Sequence, residues 1–107
     1  MAKDTLRGPL DLLILKTLAR GSQHGYGITC HILAASDSQL RIEEGTLYPA
    51  LHRLEAAGLI KAKWKPSENN RRARYYSLSK AGEKRLAEEL NNWRHRTAAV
   101  AAFLDFA

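Results

Sequence analysis

The chain has 107 residues, of which 45% are hydrophobic and 26% charged, with a formal net charge of +6. That length suits one domain, the composition is globular rather than disordered, and a single cysteine excludes an internal disulfide. A positive surplus on so small a body attracts polyanions, which leaves nucleic acid and anionic membrane surfaces as the candidate partner classes.

Met1-Ala2-Lys3-Asp4 lacks the form of a secretory signal. The apolar run from Leu10 to Ala19 is broken by Asp11 and Lys16 and is too short to span a bilayer, so a cytoplasmic protein without a membrane partner is expected. Gly8-Pro9 opens a first helix carrying Leu10, Leu12, Leu13, Ile14, Leu15 and Leu18, a set dense enough to be buried on most sides; Arg20-Gly21-Ser22 stops it. A second helix is expected from Gln23–Gly25 to Ser36-Asp37, with Ile28, Ile32 and Ala35 inward, and Gln39–Ile42 reads as a short strand. A third helix spans Glu44 to Ala57, with Leu47, Leu51 and Leu54 as its inner stripe and Gly58 as its stop.

From Leu59 to Lys65 the period changes to two. Ile60, Ala62 and Trp64 take the buried face, while Lys61, Lys63 and Lys65 take the outer one. Pro66–Asn70 is turn chemistry, and Arg72–Leu78 is the returning strand, with Tyr76 and Leu78 in the core. Ser79 caps a long last helix on which Leu86, Leu90, Trp93, Thr97, Val100 and Leu104 recur at heptad spacing. The fold class is therefore mainly α with a small β-hairpin: a winged helix-turn-helix unit over residues 1–78 and a C-terminal dimerisation helix over 79–107, forming one compact body.

The third helix has the form of a groove reader. Gly45, Pro49, His52, Arg53 and Ala56 project away from its leucine stripe, with Thr46 and Tyr48 on the flanks. His52 and Arg53 can donate to phosphates or base acceptors, and Thr46 and Tyr48 can bond phosphate oxygens. Pro49 is tolerable only if it lies in the first turn. The adjoining hairpin carries Lys61, Lys63, Lys65, Arg71, Arg72 and Arg74 against Glu68 alone, a ribbon suited to a DNA backbone or minor groove.

Five segments together resemble the PadR family of transcriptional regulators: His24-Gly25-Tyr26-Gly27-Ile28, the run Glu44-Gly45-Thr46-Leu47-Tyr48-Pro49-Ala50-Leu51-His52-Arg53-Leu54-Glu55, Gly58-Leu59-Ile60, Arg74-Tyr75-Tyr76-Ser77-Leu78, and Ala81-Gly82. The resemblance covers residues 5 to 95 and the short subgroup of the family. It implies a winged-helix repressor that dimerises through its last helix and leaves its operator on an effector or stress signal. It also implies that Tyr26, Thr46, Tyr48, Pro49 and Arg53 sit at or near DNA. The wing departs from the family pattern at Glu68-Asn69-Asn70-Arg71-Arg72, where many relatives carry a glycine near Asn70, so the wing's turn geometry stays open.

The expected DNA-contacting set is thus Tyr26, Thr46, Tyr48, Pro49, His52, Arg53, Lys63, Lys65, Asn70, Arg71 and Arg72. The partners are a double-stranded pseudo-palindromic operator and a second copy of the chain joined along Leu86, Leu90, Trp93, Thr97, Val100 and Leu104. Such a dimer sets two recognition helices roughly 34 Å apart. Trp93 has two readings, dimer core or a stacking platform for a flat aromatic effector, and dimer core is preferred. His24, His31, His52, His95 and Cys30 match no zinc spacing; no metal, cofactor or catalytic set is expected, and Cys30 reads as a small buried residue. The alternatives are a winged-helix protein-interaction adaptor and a metal- or redox-sensing regulator.

Overall fold

The structure, a computed structural model, describes residues 8–106. The reading of Met1–Asp4, and the start of the family resemblance at residue 5, lie outside the described residues. The elements run α1 (Gly8–Leu18), β1 (Gln23–His24), α2 (Gly25–Ala35), α3 (Glu44–Ala56), β2 (Ile60–Pro66), β3 (Arg72–Leu78) and α4 (Lys80–Asp105).

The apolar stripes of the helices meet in one core. Ile14 and Leu15 of α1, Ile28 of α2, Leu47 and Leu51 of α3 and Ile60 of β2 are its fully buried large side chains. Each contributes roughly 1.5–3 kcal/mol relative to exposure, which is what holds three short helices together. Leu10, Leu13, Ile42, Leu78, Leu90 and Trp93 pack around the edge of this cluster. Ala35, expected inward, is exposed.

Gln39–Ile42 forms no strand. Asp37 and Ser38 both take positive φ, 59° and 64°, which turns the chain out of α2, and the Ser36 hydroxyl then accepts from the Leu40 amide at 2.9 Å. The extra strand is instead β1, whose two residues Gln23 and His24 pair with Tyr76 and Tyr75 of β3. The sheet order is β1-β3-β2, all antiparallel. His24 serves twice, because its Nδ1 also accepts from the Gly27 amide at 3.0 Å and caps α2.

The wing is anchored where it returns to the body. The Ser79 amide donates to the Leu59 carbonyl at 3.1 Å, and the Ser79 hydroxyl donates to the Gly58 carbonyl at 2.6 Å. The same hydroxyl accepts from the Gly82 amide at 3.0 Å, the expected cap of α4. A Cβ on Gly82 would overlap the Leu59 carbonyl oxygen, so only glycine lets α4 begin this close to the sheet.

Only the first turns of α4 reach the core, through buried Leu86 and half-buried Leu90 and Trp93. From Arg94 onward every described residue is exposed. A helix of 26 residues is about 39 Å long, and its outer end leaves the body with Val100, Phe103 and Leu104 bare on one face.

Candidate nucleic-acid interface

The outer face of α3 is open. Gly45, Thr46, Pro49, His52 and Ala56 are all exposed, and Tyr48 is partly so, while Leu47, Ala50, Leu51 and Leu54 face the core. Pro49 is the sixth residue of the helix, in its second turn rather than its first. Its missing amide leaves the Gly45 carbonyl without a helical donor, and Gly45 is exposed, so that carbonyl is not buried away from solvent.

Tyr48 is positioned by α2. Its ring lies so close to the start of that helix that a Cβ on Gly25 would overlap the phenol oxygen. Tyr26, 72% exposed, stands beside it. A hydrogen bond with the Cys30 thiol, one helical turn on, is the main cause that raises the Tyr26 phenol above its ordinary value; the phenol is therefore a neutral hydrogen-bond group at physiological pH. Cys30 itself is exposed, not buried as expected: the helix turns that position away from the stripe of Ile28 and Ile32.

Arg53 lies at the edge of the open face of α3 and is only partly exposed. Its Nη2 donates to Oδ1 of Asp11 at 2.6 Å, and Asp11 is buried. The guanidinium is thus held on the flank of α3 that meets α1, with part of the side chain still reaching solvent.

The wing turn is a three-residue loop. The Asn70 amide donates to the Ser67 carbonyl at 2.9 Å, the Ser67 amide donates to the Arg71 carbonyl at 2.6 Å, and Asn70 has φ +65°. This is a tight turn closed by a left-handed residue, a role glycine fills most easily and asparagine tolerates.

The register keeps the three lysines of the wing on one face, as expected, and places Arg72 and Arg74 on the other. Lys61, Lys63 and Lys65 share a face with Ser77, Tyr75 and Ala73; Ala62 and Trp64 share the other with Tyr76 and Arg74, and Arg72 follows at the distal end. Lys65 sits over the Tyr75 ring at 4.5 Å. On the opposite face Arg72 lies 5.8 Å from the Trp64 ring, and Arg74 Nη2 donates to Glu55 Oε2 of α3 at 2.7 Å. Trp64 is 56% exposed, because the ribbon runs past the end of the core before the strand reaches it.

That second face closes a groove of about 690 Å³ against α2 and α3, in which Tyr26, Tyr48, Trp64, Arg71 and Arg72 come together. Thr46, Pro49 and His52 lie on the open face of α3 beyond it, whereas Lys63 and Lys65 point from the far side of the ribbon. Sequence reasoning missed Trp64 and Asp11. The alternation that assigned Trp64 to the core was correct about its face, and no local signal marks Asp11 as a partner of a residue 42 positions away.

Two helices, an exposed third helix and a basic two-stranded wing define a winged-helix protein. Residues 14–88 match the model of the transcriptional regulator PadR-like family, and the chain belongs to that family. Among solved structures it is similar to a transcriptional regulator from Clostridium thermocellum, with 31% identity and a TM-score of 0.83, covering 98% of this chain and 99% of that one. It is also similar to a PadR family transcriptional regulator from Eggerthella lenta, with 30% identity and a TM-score of 0.79 over 94% of this chain and 86% of that one. Among curated proteins it is 36% identical to the transcriptional regulator Rv3488 of Mycobacterium tuberculosis, over 78% of this chain and 74% of that protein. Among the described residues no helix is long and apolar enough to cross a membrane, and no three His, Cys, Asp or Glu side chains gather as a metal site.

Proposed function

We propose that this PadR-family regulator binds a pseudo-palindromic operator as a homodimer and represses transcription until an effector releases it. The observation that carries the reading is the juxtaposition of the open face of α3, bearing Thr46, Tyr48, Pro49 and His52, with the groove where Arg71 and Arg72 of the wing meet Tyr26 and Tyr48. With α3 in the major groove, the wing arginines reach the flanking backbone, and the lysines Lys63 and Lys65 on the far face of the ribbon meet phosphates further along.

The bare outer end of α4 supports the dimer. Val100 and Leu104 are 51% and 73% exposed, and a second copy aligned along the same helix would cover them. Trp93, half-buried midway along that helix, is the residue through which a flat aromatic effector would be sensed if it enters between subunits. Quenching of its fluorescence by aromatic dyes, lost in Trp93→Ala, tests that part.

The operator reading is tested by incubating purified protein with sheared genomic DNA and sequencing what it retains. A small set of fragments sharing an inverted repeat, with half-sites about one helical turn apart, is expected. Retention of all fragments in proportion to their length would remove the operator from this reading.

A further inference from the structure

We propose that Asp11 is a positioning residue for DNA reading: from within the body it fixes the guanidinium of Arg53, and so sets which donors of that fork face the operator. The inference rests on the DNA-binding reading above. Asp11 belongs to α1 and its side chain is 3% exposed, yet it is ionisable and sits among Leu12, Ile14 and Leu15. Its Oδ1 accepts a short bond from Arg53 Nη2, whereas 38% of the Arg53 side chain stays open to solvent.

A buried ion pair contributes little net stability compared with apolar side chains of the same shape, so stability is a weak reason to place an acid here. Geometry is a stronger one. An arginine carries five donors in a rigid planar fork, and a long unrestrained side chain loses much rotamer freedom when it docks. With one corner of the fork held by Asp11, the remaining donors are aimed before DNA arrives, and α3 is tied in roll to α1. A fork so aimed can meet two acceptors on one base, or one phosphate, without a search. The neighbouring His52 has no such tether among the described residues, and it stands exposed on the same helix.

The test compares two duplexes: the sequence that wild-type protein selects from a randomised library, and poly(dI·dC). Asp11→Asn keeps the shape and one acceptor but removes the charge; Arg53→Lys keeps the charge but removes the fork. Each is expected to lower the ratio of selected to nonspecific affinity by about tenfold, with binding to poly(dI·dC) nearly unchanged. The double variant is expected to lose no more than either single one, since both act through one arrangement. Thermal melting of each variant serves as the second readout, because a merely structural pair would lower melting and leave the ratio intact. An unchanged ratio in folded Asp11→Asn, or losses that simply add in the double variant, would overturn the proposal. A wild-type protein that selects no sequence at all would instead overturn the operator reading beneath it.

Discussion

Arg74 of the wing and Glu55 of α3 are joined by a 2.7 Å charge-assisted bond between Nη2 and Oε2, so the ribbon is tethered to the helix it flanks. Both side chains are partly exposed, at 44% and 30%, which limits the pair to about 0.5 kcal/mol. Glu55→Gln is therefore expected to lower the melting temperature by only about 2–4 °C. It also releases Arg74 and removes a negative charge beside the groove, so affinity for nonspecific DNA at low salt is expected to rise. A fall in that affinity, read by fluorescence anisotropy, would mean that the tether matters more than the charge.

Gly25 and Tyr48 give a second expectation. A Cβ at position 25 would overlap the phenol, but the ring is partly exposed and can swing outward. Gly25→Ala should thus cost less than about 1 kcal/mol of stability while displacing Tyr48 from the groove edge. Binding to the selected operator should weaken several-fold, with melting nearly unchanged. A large melting loss with normal DNA binding would show that the glycine serves packing alone.

The turn of the wing makes a third point. Asn70 holds φ +65°, where a β-branched side chain is disfavoured by roughly 1–2 kcal/mol and glycine is not. Asn70→Gly should preserve melting and DNA affinity; Asn70→Val should distort the tip and weaken DNA binding through Arg71 and Arg72. Equal behaviour of the two variants would show that the tip conformation is immaterial to binding.

At the outer end of α4 every described residue from Arg94 onward is exposed. Val100→Glu combined with Leu104→Glu should leave the winged body folded, since both positions are exposed, but place like charges where two helices would meet. Sedimentation of the wild type as a dimer and of the double variant as a monomer is expected. A dimer that survives both charges would move the interface elsewhere.

Much of this architecture was legible in the chain. The leucine stripe of α3, the switch to period two after Leu59 and the Ser79 cap were read from residue spacing, because each is a local pattern that burial or capping enforces. What escaped was decided by contacts distant in sequence. Strand β1 is two residues long and exists because β3 offers it an edge, so no periodicity announces it. Trp64 lies on the face its alternation indicated, but alternation does not say where the core ends. The spacing of α3 places Arg53 toward the groove, but spacing gives no sign that Asp11, on another helix, holds one of its donors. The division of the wing's cations between two faces followed from a register in which Trp64 opposes Arg74 and Lys65 opposes Ala73.

The most direct test of the DNA-facing surface is the salt dependence of binding to the selected duplex, for wild type and for Arg71→Ala/Arg72→Ala. A steep linear fall of log K with log salt is expected, and the double variant should lessen the slope by about 0.9 for each phosphate contact it removes. A flat slope in the wild type, or an identical slope in the two proteins, would contradict a wing that meets the DNA backbone.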